Sequence, residues 1–229
     1  SDVNAHTYTY LINGTTSLGN WTGLFSHGEK VRLRFINGSA MTHFDVRIPG
    51  LAMTVVAVDG QNVHPVTIEE FRIAAAETFD VIVTPNGADA FTIFAQDLGR
   101  TGCVSGTLAV REGLRAPVPA VDPRPILSMA DMGHGGMDHS SMDHSGHDMT
   151  SMESMPMKGM EGGCGANMHG SMQHGAQDDG MQKHPASETR NPLVDMQTMM
   201  PTPKLDDPGI GLRGNGRKTL RYSMLRSLF

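Results

Sequence analysis

Aromatic residues make up only 5% of the 229-residue chain, and none lies between Phe94 and Tyr222. One hydrophobic core running through the whole chain is therefore excluded. Cysteine is scarce: Cys103 and Cys164 allow at most one internal disulfide and form no CxxC. No apolar run reaches the roughly 18 residues that a membrane-spanning helix needs. The start, Ser1-Asp2-Val3-Asn4, has no basic or apolar leader and no Met, so it reads as a processed or excised piece. The charge balance, 18 Lys+Arg against 24 Asp+Glu for a net −6, supports no nucleic-acid partner. A phosphate-cradling loop, a dinucleotide fingerprint and a Ser–His–Asp spacing are all missing.

What is present divides the chain in two. Residues 1–113 read as an all-β unit. Val31, Leu33 and Phe35 share one face of Lys30–Ile36, and the same period-2 pattern recurs in His43–Ile48, Phe79–Val83 and Phe91–Phe94. Asn13-Gly14, Asn37-Gly38, Pro49-Gly50, Asp59-Gly60 and Asn86-Gly87 punctuate these runs as turns. Further runs at Tyr8–Ile12, Met53–Val58, Phe71–Ala75 and Gly106–Val110 bring the expectation to about eight strands in a sandwich or barrel. Residues 114–128 hold four prolines and read as a semi-rigid linker.

From Met129 to His184 the composition changes. This stretch holds 12 Met and 7 His with no Leu, Ile, Val, Phe, Tyr or Trp, leaving only 6 Met and 4 His elsewhere. Lacking branched aliphatics and aromatics, it cannot offset the entropy of ordering and is predicted to be disordered without a ligand. It also accounts for the whole net charge, with eight acidic residues against two lysines. Residues 185–229 read as an extended strap ending in an apolar, basic run, Thr219–Phe229, that resembles the approach to another domain.

The donors in 129–184 recur at short spacings. His134, His139 and His144 are five apart, as are Met137 and Met142. Thioether sulfur is soft and uncharged and suits Cu(I), while imidazole serves both copper oxidation states. The candidate metal ligands are Met129, Met132, His134, Met137, His139, Met142, His144, His147, Met149, Met152, Met155, Met157, Met160, Met168, His169, Met172 and His174. Zinc fits poorly, because thioethers bind it weakly and only Cys164 lies in the segment. A Met-rich linker without metal is the plainer alternative.

The β unit offers less. His6, His27, His43 and His64 accompany a single Cys103, with no His-x-His and no His-Cys-His, so a mononuclear blue-copper site is not expected. His43 falls on the polar side of its strand, and His27 and His64 read as turn residues. Asp45, Asp59 and Asp80 are expected to be exposed or turn-capping, and Trp21 to pack.

One resemblance is specific. Asn20–Phe25, Gly28–Met41, Phe44–Gly50, Thr54–Gly60, Glu77–Val83, Gly106–Ala109, Met129–Met132, Asn191–Met199 and Leu205–Leu212 resemble bacterial copper-resistance multicopper oxidases of the CopA/PcoA type. The resemblance implies a Greek-key, cupredoxin-like β-sandwich, the second of three such domains, followed by a long irregular Met/His-rich segment. It implies copper as cofactor, a periplasmic location, and first and third cupredoxin domains as partners within a parent chain. Catalytic copper ligands of that family are absent here, so no catalytic residue carries over. The resulting expectation is a copper-binding part of a cuprous oxidase, its Met/His segment capturing Cu(I). A stand-alone copper-sequestering protein and a purely structural inter-domain module are the alternatives.

Overall fold

The structure is a computed structural model and describes residues 4–127, 131, 183–193 and 203–228. It divides into two units, one formed by 1–135 with 204–229 and one by 136–203. Of the second unit, a single helical turn, α1 (Ala186–Thr189), is described. Among the described residues no helix is long and apolar enough to cross a membrane.

The described residues of the first unit form nine strands: β1 (Thr22–Leu24), β2 (Val31–Ile36), β3 (Phe44–Arg47), β4 (Met53–Val58), β5 (Gln61–Ile68), β6 (Glu70–Ile73), β7 (Thr78–Val83), β8 (Ala90–Asp97) and β9 (Cys103–Ala109). They form a five-stranded sheet in the order β1-β9-β8-β3-β6 and a four-stranded sheet in the order β2-β7-β4-β5. The alternating runs expected as strands at 31–36, 44–47, 79–83 and 91–94 all pair in these sheets. Their apolar faces meet between the sheets: Met53, Val55, Ile68, Phe71 and Val81 are fully buried there. Phe71 lies at the centre, 5.3 Å from the Phe35 ring and 4.9 Å from the Phe79 ring.

Three elements differ from the pattern in the sequence. Tyr8–Ile12 joins no ladder; its strand-like pairing among the described residues is an isolated bridge from Ile12 to Thr15. β1 is short and pairs in parallel with β9, where the Trp21 carbonyl accepts the Thr107 N–H at 2.8 Å. A Cβ at Gly106 would meet that carbonyl at 3.1 Å and the indole at 3.2 Å, so the ring packs over β9 only because glycine is there. His64 and Pro65 lie within β5, not in a turn. Opposite β4 the register jumps from Val66 to Asn62, and an edge strand with such a bulge tolerates a proline.

The outward face of the five-stranded sheet is polar but not wet. Asp45, Arg47, Glu70, Thr92, Gln96, Ser105 and Thr107 are all buried on it. Two distant pieces of chain provide the cover. Thr92 Oγ1 donates to the carbonyls of Ala116 and Pro117 at 3.1 and 3.0 Å, so the proline-rich stretch lies against the sheet. Residues 210–220 bring Ile210, Leu212, Arg217 and Thr219 to the same side.

On the four-stranded sheet, Asp80 of β7 takes a bidentate contact from Arg34 of β2 at 2.7 and 2.9 Å and a second arginine, Arg32. Asp80 is therefore a buried ion-pair centre, not an exposed acid. Asp59 keeps a turn role: its φ is +47°, Gly60 follows at +78°, and its carboxylate accepts the Thr78 N–H at 2.7 Å.

Phe71→Ala is expected to lower unfolding free energy by about 3–5 kcal/mol, read by denaturant titration. The hydrogen bonds from Arg34 outweigh burial and hold the Asp80 carboxyl at about 2. An unfolded aspartate titrates near 3.9, so the pair stabilises the fold above that pH and the contribution is lost as pH falls through about 2. Asp80→Asn should therefore be less stable than the parent chain at neutral pH, with the gap closing between about pH 4 and pH 2.

Candidate functional site

All the candidate metal ligands named from Met129 to His174 lie outside the described residues. Asp131, inside that stretch, is described; its carboxylate accepts from Arg213 at 2.5 Å. The same guanidinium holds Asp207 through two bonds, one of 2.7 Å from Nε. Arg213 therefore ties the place where the chain leaves the sandwich to the place where it returns. The two contacts keep the Asp207 carboxyl at about 2, Arg213 being the leading cause.

The described soft and imidazole donors are scattered. His27 Nε2 contacts Asp89 at 2.9 Å on an exposed loop. His43 places Nδ1 3.3 Å from the Met41 carbonyl. His64 sits on β5 with its backbone N–H bonded to the Arg226 carbonyl at 2.9 Å. Cys103 is unpaired and half-buried on β9, and burial, reinforced by Asp97, pushes its thiol up, away from the thiolate that binds metal. Among the described residues no three of His, Cys, Asp and Glu come together in a group able to hold a metal ion.

Two clusters of buried charge occupy the outward face of the five-stranded sheet. In the first, Asp45 is fully buried, where an exposed or turn-capping acid was expected. Arg72 binds it bidentately at 2.7 and 3.0 Å and Arg100 at 2.6 Å. Both arginines also donate to backbone, Arg72 to the Ile210 carbonyl at 2.6 Å and Arg100 to the carbonyl of Asp97 at the end of β8 at 2.7 Å. In the second, Arg47 contacts Glu70 and Asp122, each at 3.1 Å, and stacks 4.6 Å above the Phe94 ring. Arg217 reaches the other oxygen of Glu70 at 2.7 Å and also holds Asp122. Burial raises the Asp122 carboxyl, but the Gln96 amide and the charges of Arg47 and Arg217 outweigh it and bring the group below its usual range. Every carboxylate in both clusters is committed to arginine, so neither offers a free acid or base.

A cavity of about 570 Å³ opens between the 8–12 segment and the strand ends around Phe35, Asn37, Phe44, Ile73 and Ile93. Its lining contains no Asp, Glu, Lys, Arg, His or Cys. Tyr10 donates its hydroxyl to Asp97 at 2.7 Å, and burial followed by that carboxylate pushes its pKa to about 12. This cavity can take apolar surface, and it carries no group for acid–base chemistry. Asp122 and Arg217 carry no signal in the sequence, because they lie 95 residues apart and Arg217 lies 147 residues from Glu70.

Residues 2–112 match the family model described as "Multicopper oxidase". The whole chain is 60% identical over 243 aligned positions to "Copper resistance protein A" of Escherichia coli, covering 40% of that protein. It is 59% identical over 248 positions to the protein of the same name from Pseudomonas syringae pv. tomato, again covering 40% of it. Among solved structures, a laccase from Botrytis aclada is 29% identical over 46% of this chain and 21% of that one, with a TM-score of 0.39. The chain spans 40% of the length of the two copper resistance proteins. Residues 2–112 are a domain of the multicopper oxidase family with a two-sheet, cupredoxin-like fold, and the chain as a whole is similar to part of the larger copper resistance A proteins.

Proposed function

We propose that this chain is the copper-gathering part of a periplasmic copper-resistance oxidase, in which the 129–184 segment captures Cu(I) and the sandwich with its strap holds that segment in place. One observation carries this reading: 12 of the 18 Met and 7 of the 11 His lie within 129–184, while the described sandwich brings no metal-holding trio together. Neutral thioether sulfurs match a soft monovalent ion, and imidazoles add stronger donors to the same low-coordination set. The aspartates between them lower the cost of bringing a cation close without competing as ligands for Cu(I).

Copper as a catalytic cofactor is a separate matter. The sequence has no His-x-His and no His-Cys-His, so it does not fit the blue-copper or trinuclear centres that oxidation requires. In this reading those centres belong to other domains of the parent protein, the present sandwich is its second domain, and Cu(I) is cargo here. Names of the relatives, which denote copper resistance, support the direction of the reading.

The test is an anaerobic Cu(I) titration against a competing chromophoric chelator. It compares the intact chain, a deletion of 129–184, and a full-length variant with the Met residues of 129–184 changed to Leu. The intact chain is expected to bind several Cu(I), and both variants to lose most of that capacity. Equal binding by the deletion variant would place the ligands in the sandwich and reject the proposal.

A further inference from the structure

We propose that the sandwich carries a built acceptor groove for an extended, arginine-bearing peptide, and that this chain's own residues 209–228 occupy it by contacts that do not need the covalent connection through 136–203. The floor of the groove is Glu70, with a side chain 0% exposed. A charge so placed is tolerated only when its oxygens are matched. Arg47, from the sheet, satisfies one oxygen at 3.1 Å. The other is satisfied by the strap alone: Arg217 Nε and Asn215 Nδ2 both donate to it at 2.7 Å. Removing the strap would take both donors from this oxygen and uncover it to water.

Backbone pairing runs along the same path. Both sheets end on this side, one at β6 and one at β5, and each would otherwise present an open edge. The strap covers both. At β6 the Glu69 N–H donates to the Lys218 carbonyl at 2.8 Å, and the Leu220 N–H to the Glu70 carbonyl at 2.9 Å. At β5 the His64 N–H donates to the Arg226 carbonyl at 2.9 Å, and the Leu228 N–H to the Asn62 carbonyl at 3.2 Å. Between these contacts Leu212 is 2% exposed, Leu220 and Leu225 pack on the core, and Tyr222 donates to Glu77 at 2.7 Å. Strand addition to a free edge, buried apolar anchors and a matched charge pair form a complete peptide-recognition mode.

The roots of the intervening segment are held as well. Arg213 bridges Asp131 on one side and Asp207 on the other. With both roots fixed, the cost of closing the segment varies only slowly with its length. The sandwich and strap are therefore expected to stay assembled whatever happens between them, with or without copper.

The experiment uses the full chain with a site-specific protease sequence inserted between Gly162 and Gly163, in metal-free buffer. After complete cleavage, shown by two bands on a denaturing gel, the pieces are run on size exclusion at micromolar concentration. They are expected to co-elute at the size of one intact chain, with the His64 amide still protected from hydrogen exchange. Arg217→Ala in the cut protein is expected to weaken re-association by about a hundredfold or more, as loss of one partner of a buried pair does. If the cut, unsubstituted pieces separate, the covalent connection holds the strap and the proposal fails. A dimer-sized species would put the strap on a second copy and overturn the assignment of its occupant. The copper titration has no bearing on either result, so the two proposals fail independently.

Discussion

The carboxylate of Glu70 sits where the chain passes from β5 in one sheet to β6 in the other, with none of its surface reaching water. A single buried charge there is costly unless paired and hydrogen-bonded on both oxygens. One partner, Arg47, lies on the neighbouring strand β3 of the same sheet. The other, Arg217, comes from far along the chain, with Asn215 beside it. This one group therefore selects the path of the returning chain. Once Arg217 is in place, Lys218 to Leu220 lie alongside the open end of β6 and Leu212 is drawn under the same cover.

The polarity of that sheet face follows from what covers it. Antiparallel sheets commonly leave one face in water, and helices cover the second when it is buried. Here irregular chain does so, and irregular chain brings carbonyls with no partner in a ladder. The face beneath must supply donors. Thr92 serves Ala116 and Pro117, Arg47 serves Ala120, Arg72 serves Ile210 and Arg100 serves Gly211. Acids follow because the three arginines, Arg47, Arg72 and Arg100, cannot stand under that cover with their charge unbalanced. Asp45, Glu70 and Asp122 are the counter-charges, and each lies against an arginine. The described sandwich has two cores, an apolar one between the sheets and a polar one under the returning chain.

Much of the first core is legible in the sequence and little of the second. Period-2 runs at Val31–Ile36 and Thr78–Val83 declare both their strands and their inward faces. Asp45 and Arg47 are equally visible as the opposite face of Phe44–Arg47. Direction can be read from alternation, but burial cannot, because the cover is remote: Asp122 and Ile210 are 75 and 138 residues from their arginines. β5 escapes because Pro65 in an alternating run argues against a strand, and only its place on a bulged edge makes it one. β1 has three residues, one of them glycine, and is held by register with β9 rather than by propensity. For residues 129–184 the position is reversed. The chemistry proposed for them is read from composition, so the sequence speaks of donors where the described structure speaks of scaffold.

That division has a physical basis. A packed domain spends its charges on its own geometry: outside 129–184 the acidic and basic residues balance at 16 and 16, and the ion pairs described above consume many of them. The surplus of acids, and with it the attraction for cations, is concentrated in residues 129–184, which hold no branched aliphatic or aromatic residue. Donors placed in the sandwich would have to match one rigid coordination geometry and would compete with arginines for the same carboxylates. In the proposed reading, donors interspersed with Gly and Ser suit a low-coordination ion better than donors fixed in a packed sheet, because the geometry is not set in advance. On the proposed reading copper is cargo, a cargo site needs release as much as capture, and setting soft donors apart from a charge-balanced scaffold answers both needs.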